Sequence, residues 1–228
     1  MASTMEISQL TPAIGAEVSD VDLRQISSDQ AAEIRAALLA HKVLFFRDQT
    51  LSQEEHIAFA RQFGDLEIHP ATPSSQEHPE VLHINHGPDS KGRENFWHSD
   101  VTWRERPSLG SILKAVQVPP VGGDTLFANM VMAYELLPDE VKEVITGRVA
   151  IHDIARVFAG RLNKSAEELR ERYPPTEHPI IRTHPETGES VLYVNTAFTS
   201  HIKDMEEGES ARLLRKLYRT AANPEIQC

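Results

Sequence analysis

One cysteine, Cys228, stands in 228 residues, so no internal disulfide can brace the fold and its stability has to come from a packed core. Basic residues are also in short supply, 23 Lys and Arg against 34 Asp and Glu, and the formal charge is −11. That balance excludes a nucleic-acid surface, which needs clustered cations facing phosphate. It leaves room for a small anionic ligand, because a pocket can be locally positive in an acidic protein. Long apolar runs are missing too: the longest patch, residues 37–46, is interrupted by His41 and Lys42 and falls far short of a bilayer span. The first ten residues show no basic stretch followed by an apolar one, so no secretory signal is read there. These absences together predict a cytoplasmic globular protein without a membrane partner. No repeat, low-complexity tract or linker divides the chain, and residues 1–228 read as one domain.

The pattern that is present runs from helices to strands. Ser27-Ser28-Asp29 caps a predicted helix with apolar positions at Ala32, Ile34, Leu38 and Leu39, and Val43 to Phe46 follows as a buried strand. Ser52-Gln53-Glu54-Glu55 is a capping box for a second helix that stops at Gly64. From Val81 onward extended segments dominate: residues 81–85, 109–118, 125–128, 148–154, 179–183 and 191–195. Residues 185–189 make a hairpin turn whose Gly188 suits positive φ, and helices are predicted over 130–146, 165–172 and 206–222.

Within this frame one octapeptide carries chemistry, Phe96-Trp97-His98-Ser99-Asp100-Val101-Thr102-Trp103. In an extended segment the side chains at i and i+2 leave the same face, so His98 and Asp100 can address one ion. An imidazole and a carboxylate are two thirds of the 2-His-1-carboxylate set that binds non-heme Fe(II). The H-x-[DE] pattern alone is weak, since His78-Pro79-Glu80 and His184-Pro185-Glu186 match it as well. Their central prolines mark those two as turns.

Six separated blocks raise the specificity of the octapeptide: Phe45-Phe46-Arg47-Asp48, Phe63-Gly64-Asp65, Ile68-His69-Pro70, Trp97 to Thr102, Gly122-Gly123-Asp124-Thr125-Leu126, and His178 to Thr187. In order and spacing they resemble the taurine dioxygenase family over almost the whole chain. The resemblance implies a mainly β fold with flanking helices, a double-stranded β-helix or jelly roll, holding Fe(II) and the co-substrate 2-oxoglutarate. His98 and Asp100 match the first two iron ligands, and Thr125 matches a hydroxyl that binds a 2-oxoglutarate carboxylate. His69 matches a contact to the anionic head of the substrate, while Phe158 and Phe198 match apolar pocket walls. The implied reaction consumes O2 and 2-oxoglutarate, yields succinate and CO2, and hydroxylates a small anionic organic substrate. A sulfonate such as taurine, or an alkyl sulfate ester, would then release sulfite or sulfate and an aldehyde. Thr72 stands where taurine-specific members carry a tyrosine and Glu94 where an amide is usual, which points away from taurine itself. Related enzymes are commonly homo-oligomers.

Relatives continue beyond the counterpart of Asn223-Pro224-Glu225 to a distal histidine ligand and arginines for 2-oxoglutarate and substrate. This chain ends at Cys228, in what reads as the first strand of that continuation, so no third ligand is assigned. The expectation is a jelly roll lacking its last strands, inactive or weakly active as it stands. Two other readings remain open at this point. One is a catalytically silent jelly-roll binding module. The other is a cupin-like metal protein that draws further ligands from His152, His178, His184 or His201.

Overall fold

The computed structural model describes residues 5–70, 77–87, 92, 95–160 and 164–228. Contacts group them into two compact units, one drawn from Met1–Leu82, Ile112–Asn129 and Pro224–Cys228, the other from His83–Ser111 and Met130–Asn223.

In the first unit β1 (Glu6–Gln9) pairs antiparallel with β2 (Ala16–Ser19), which pairs in parallel with β3 (Leu44–Phe45). A parallel connection needs a crossover, and α1 (Ser28–His41) supplies it. Its start is set by a capping box in which the Ser27 hydroxyl accepts from Gln30 N and the Gln30 side chain accepts from Ser27 N. Its end is set by Lys42 in the left-handed region. Ser52 and Glu55 form the same reciprocal cap on α2 (Gln53–Arg61). The core is apolar throughout: Met5, Val18, Leu23, Ile34, Leu51 and Phe59, with Leu44, Phe46 and Phe63 packed on it. Phe59 meets Phe46 and Phe63 edge-on, with ring centroids 6.0 and 5.2 Å apart. Phe127 and Cys228 exchange backbone hydrogen bonds beside an isolated antiparallel bridge between Ala128 and Gln227.

In the second unit α3 (Met130–Glu135) and α4 (Asp139–Ile145) precede a sheet in which β4 (Val149–His152) lies between β5 (Thr176–Pro179) and β8 (Thr199–Ile202), antiparallel to both. A short helix, α5 (Ala155–Phe158), and α6 (Ala166–Arg172) follow β4. The predicted hairpin forms as β6 (Ile181–Thr183) and β7 (Ser190–Leu192), with Gly188 at φ 74°. The amphipathic helix α7 (Glu207–Thr220) buries Leu214 and Leu217, and Ser210 accepts from Ile202 N at 2.8 Å.

The result is a mixed α/β fold with a partial, unclosed β-sheet core flanked by helices. Helical residues outnumber strand residues among those described, so β content is lower than the sequence pattern predicted. The expected strand over residues 109–118 does not form, and residues 108–126 are exposed throughout. β-branched residues favour an extended backbone, but a strand exists only where a neighbour takes its N–H and C=O groups. The expected strands at 81–85 and 125–128 shrink to isolated bridges for the same reason. The single helix predicted over 130–146 is two, because Pro138 starts α4 anew.

Candidate functional site

The octapeptide is not a strand. Residues 100–103 form a turn, and Val101 sits at φ 49°, a conformation that a β-branched residue holds only when its surroundings dictate it. The turn nevertheless brings the predicted pair together: His98 Nε2 lies 3.6 Å from Asp100 Oδ1. Both residues face solvent, while Val101, Thr102 and Trp103 behind them are buried.

Each member of the pair has one atom occupied and one left over. His98 Nδ1 lies 2.9 Å from the Phe96 carbonyl, which can only accept, so Nδ1 carries a hydrogen and Nε2 is the ring nitrogen that faces Asp100. The Phe96 ring, 5.2 Å away, packs beside the imidazole. Ser111 donates to Asp100 Oδ2 at 2.8 Å and leaves Oδ1 facing His98. Nε2 and Oδ1, each with the other polar atom of its side chain satisfied, are atoms of the kinds that bind a cation. A borderline transition metal such as Fe(II) suits an imidazole and carboxylate pair. Among the described residues no group of three His, Cys, Asp or Glu side chains converges.

Phe198 and Phe158 belong to the same unit as the pair. Phe198 is buried, with its N–H donated to Asn195 Oδ1 at 2.9 Å and its carbonyl accepting from Asp153 N at 2.9 Å. Phe158 ends α5 half-buried. Thr125 and His69 belong to the first unit. Thr125 is exposed and follows Gly122 and Gly123, both near φ 75°, a backbone that favours glycine; a Cβ at Gly123 would also meet the Pro119 ring at 3.0 Å. His69 is half-buried. Thr72 and Glu94, on which the preference against taurine was read, lie outside the described residues.

Five other histidines are committed elsewhere. His184 Nδ1 accepts from the N–H groups of Glu186 and Thr187, which makes its H-x-E match a turn, as the proline suggested. His78 faces Glu54 at 3.4 Å, and His201 shares a hydrogen bond with Ser200. His152 is fully buried between Thr102 and Thr199, and burial pushes its pKa down to about 3, so it is a neutral core imidazole. His178, also lowered by burial, donates to the Arg104 carbonyl at 2.8 Å. The cupin-like reading needs several of these to meet; His152 and His178 lie edge-on with ring centroids 5.1 Å apart, but among the described residues no third His, Cys, Asp or Glu joins them to hold a metal.

Sequence reasoning missed Ser111, Thr102, Asn195 and His152 as supports of the site. The available signal was the placement of polar residues at core positions, His152 in the alternating segment 148–154 and Asn195 at the end of 191–195.

Comparison with known proteins gives the family. Residues 6–228 match the family model "Taurine catabolism dioxygenase TauD, TfdA family". An alkylsulfatase of Acinetobacter baylyi is 34% identical over 232 residues, covering 97% of this chain and 72% of that protein. An alpha-ketoglutarate-dependent 2,4-dichlorophenoxyacetate dioxygenase of Cupriavidus pinatubonensis is 36% identical, covering 95% of this chain and 82% of the relative. Among solved structures, a taurine dioxygenase from Burkholderia xenovorans superposes with a TM-score of 0.83 at 37% identity, over 98% of this chain and 75% of that one. The enzyme AAD-2, crystallised with Mn(II) and N-oxalylglycine, superposes with a TM-score of 0.77 at 29% identity, over 99% and 82%. A His–Asp pair turned toward one point, a partial jelly-roll core, and a family match over nearly every residue agree: this chain belongs to the TauD/TfdA family of Fe(II)- and 2-oxoglutarate-dependent dioxygenases.

Proposed function

We propose that His98 Nε2 and Asp100 Oδ1 hold Fe(II), and that the protein uses O2 and 2-oxoglutarate to oxidise a small organic anion. The observation that carries this is the 3.6 Å approach of those two atoms, with Phe96 O and Ser111 Oγ taking the other polar atom of each. Bound Fe(II) with 2-oxoglutarate supplies O2 activation coupled to decarboxylation of the keto-acid to succinate and CO2. The residues of the chain do the rest. The Thr125 hydroxyl donates to a carboxylate of 2-oxoglutarate, and His69 contacts the substrate's anionic head. Phe158 and Phe198 wall the reacting C–H bond from water, which protects the oxidant from side reactions. The relatives are named for sulfate esters and for aryloxyacetates, so the substrate class is a small molecule with one anionic head and an apolar body. For a sulfate ester or sulfonate, hydroxylation at the carbon bearing the sulfur group yields an aldehyde and sulfate or sulfite. The single cysteine suits a cytoplasmic setting. Among the described residues no helix is long and apolar enough to cross a membrane.

The test is succinate formation from 2-oxoglutarate under air with Fe(II) and a panel of alkyl sulfates, alkylsulfonates and aryloxyacetates. Substrate-stimulated succinate that is lost in His98→Ala and Asp100→Ala is the expected result. Saturable binding of a panel member with no keto-acid consumption would instead favour the binding module.

A further inference from the structure

The segment that carries His98 and Asp100 has no strand partner among the described residues, yet side chains from distant parts of the second unit hold it on both sides of the pair. Thr196 donates to the Trp97 carbonyl at 3.0 Å, Thr176 donates to the Trp103 carbonyl at 2.8 Å, and His178 donates to the Arg104 carbonyl. The innermost clamp is at Thr102, two residues from Asp100 and 1% exposed. Its hydroxyl accepts from Asn195 Nδ2 at 3.0 Å and lies 2.9 Å from His152 Nδ1. A hydroxyl has one hydrogen to give, and His152 Nδ1 is the acceptor in reach when its ring carries the hydrogen on Nε2, facing Thr199 Oγ1. The order Asn195 to Thr102 to His152 leaves each buried polar group paired. His152 is itself wedged, stacked on Tyr193 at 5.8 Å and edge-on to His178 at 5.1 Å, so the acceptor cannot drift. Asn195 also accepts from Phe198 N, so one side chain ties the pocket-wall segment to the metal-bearing turn.

We propose that Thr102, through its buried bonds to Asn195 and His152, is a positioning residue for the His98–Asp100 pair. The inference rests on the assignment of that pair as the metal site. The bonds fix the backbone immediately after Val101, whose φ of 49° is unfavourable for a β-branched residue, and so oppose relaxation of the turn. Were it to relax, Asp100 would swing away from His98 while the apolar core stayed intact. Ligand orientation is therefore what the relay controls, over and above the stability that its buried bonds contribute.

Co(II) binding to the anaerobic 228-residue chain tests this, read by visible d–d absorption and by the dissociation constant, with melting temperature recorded alongside. Thr102→Val keeps the shape and removes the hydroxyl, and is expected to weaken Co(II) binding by about tenfold or more, the usual scale for supports of metal ligands. Thr102→Ser restores the hydroxyl and should bind like the unmodified chain. Ile145→Ala, in the core of α4 and outside the relay, should lower the melting temperature and leave the affinity alone. A folded Thr102→Val protein with unchanged affinity and spectrum overturns the positioning role and leaves the metal pair standing. A Co(II) signal indifferent to His98→Ala, or no signal from the unmodified chain, overturns both. Should Thr102→Val not fold, Asn195→Ala carries the same decision: it keeps the hydroxyl and loses one of its partners, and unchanged Co(II) affinity there overturns the role.

Discussion

The two units are held together by different kinds of core. The first buries methyl, methylene and aromatic groups, and Asn129 is the one polar side chain on its buried list among the described residues. The second buries Thr102, His152, Asp153, His178, Asn195, Thr199 and Ser210 beside its aliphatic residues. Apolar burial is non-directional: it makes a core cohere and tolerates small shifts within it. A buried hydrogen bond is directional, and each unmade one carries a desolvation cost of about 1–3 kcal/mol, so a polar core fixes where its parts sit. The proposed metal pair stands on the second kind, which is what placing two ligand atoms on one ion requires.

Substitutions can break this contrast, beginning with the largest effect. Phe59→Ala in the apolar core should cost about 3–5 kcal/mol in urea denaturation, from lost transfer energy and the cavity left behind. Measured well below its melting point, the variant should still bind Co(II) like the unmodified chain. A parallel loss of affinity would mean that the apolar core also positions ligands.

The polar core should announce itself through pH. The pKa of His152 is lowered from 6.5 to about 3, chiefly by burial and then by the charges of His178 and Arg182. The unfolded chain therefore takes up a proton that the folded one refuses. This contribution to stability is complete above pH 6.5 and is lost as pH falls toward 3, and it amounts to something on the order of a few kcal/mol. Denaturation midpoints between pH 7 and 4 should fall less steeply in His152→Gln than in the unmodified chain. Equal slopes would show that His152 is not what the acid limb titrates.

Two smaller effects sharpen the picture. Asp153 is 3% exposed and accepts from Ala155 N at the start of α5 and from Arg170 Nε at 2.8 Å, with Arg170 Nη2 2.8 Å from the same Oδ2. Arg170 is half exposed, so its partnership is screened, and Arg170→Ala should cost about 1–2 kcal/mol in the same denaturation assay. Ser111→Ala removes the hydroxyl on Asp100 Oδ2 and should weaken Co(II) binding by about threefold with no change in melting temperature, since both groups are exposed. A melting shift without an affinity change would reassign Ser111 to the fold.

Local chemistry was legible in the sequence. The cap at Ser27 and the capping box at Ser52 mark real helix starts, the helix read over 165–172 forms, and residues 185–189 turn a real hairpin, because each signal acts within a few residues. Elements that depend on a distant partner were not legible. β1, β2 and β8 went unread because they are short and exist through their neighbours. Residues 109–118 read as a strand and are not one, because propensity supplies an extended backbone but no second edge. The site divides in the same way. His98 and Asp100 were visible from spacing and resemblance, although a turn and not a pleat brings them together.

By itself, then, the sequence determined the family and the helix starts capped at Ser27 and Ser52, and it singled out His98 and Asp100 as the candidate pair, since these rest on order, spacing and side-chain chemistry along a single stretch of chain. Only the tertiary structure decided which atoms of that pair face each other, and what holds them so. Thr102 meets His152 across 50 positions and Asn195 across 93, and contacts closed over such distances are set by how the whole unit packs.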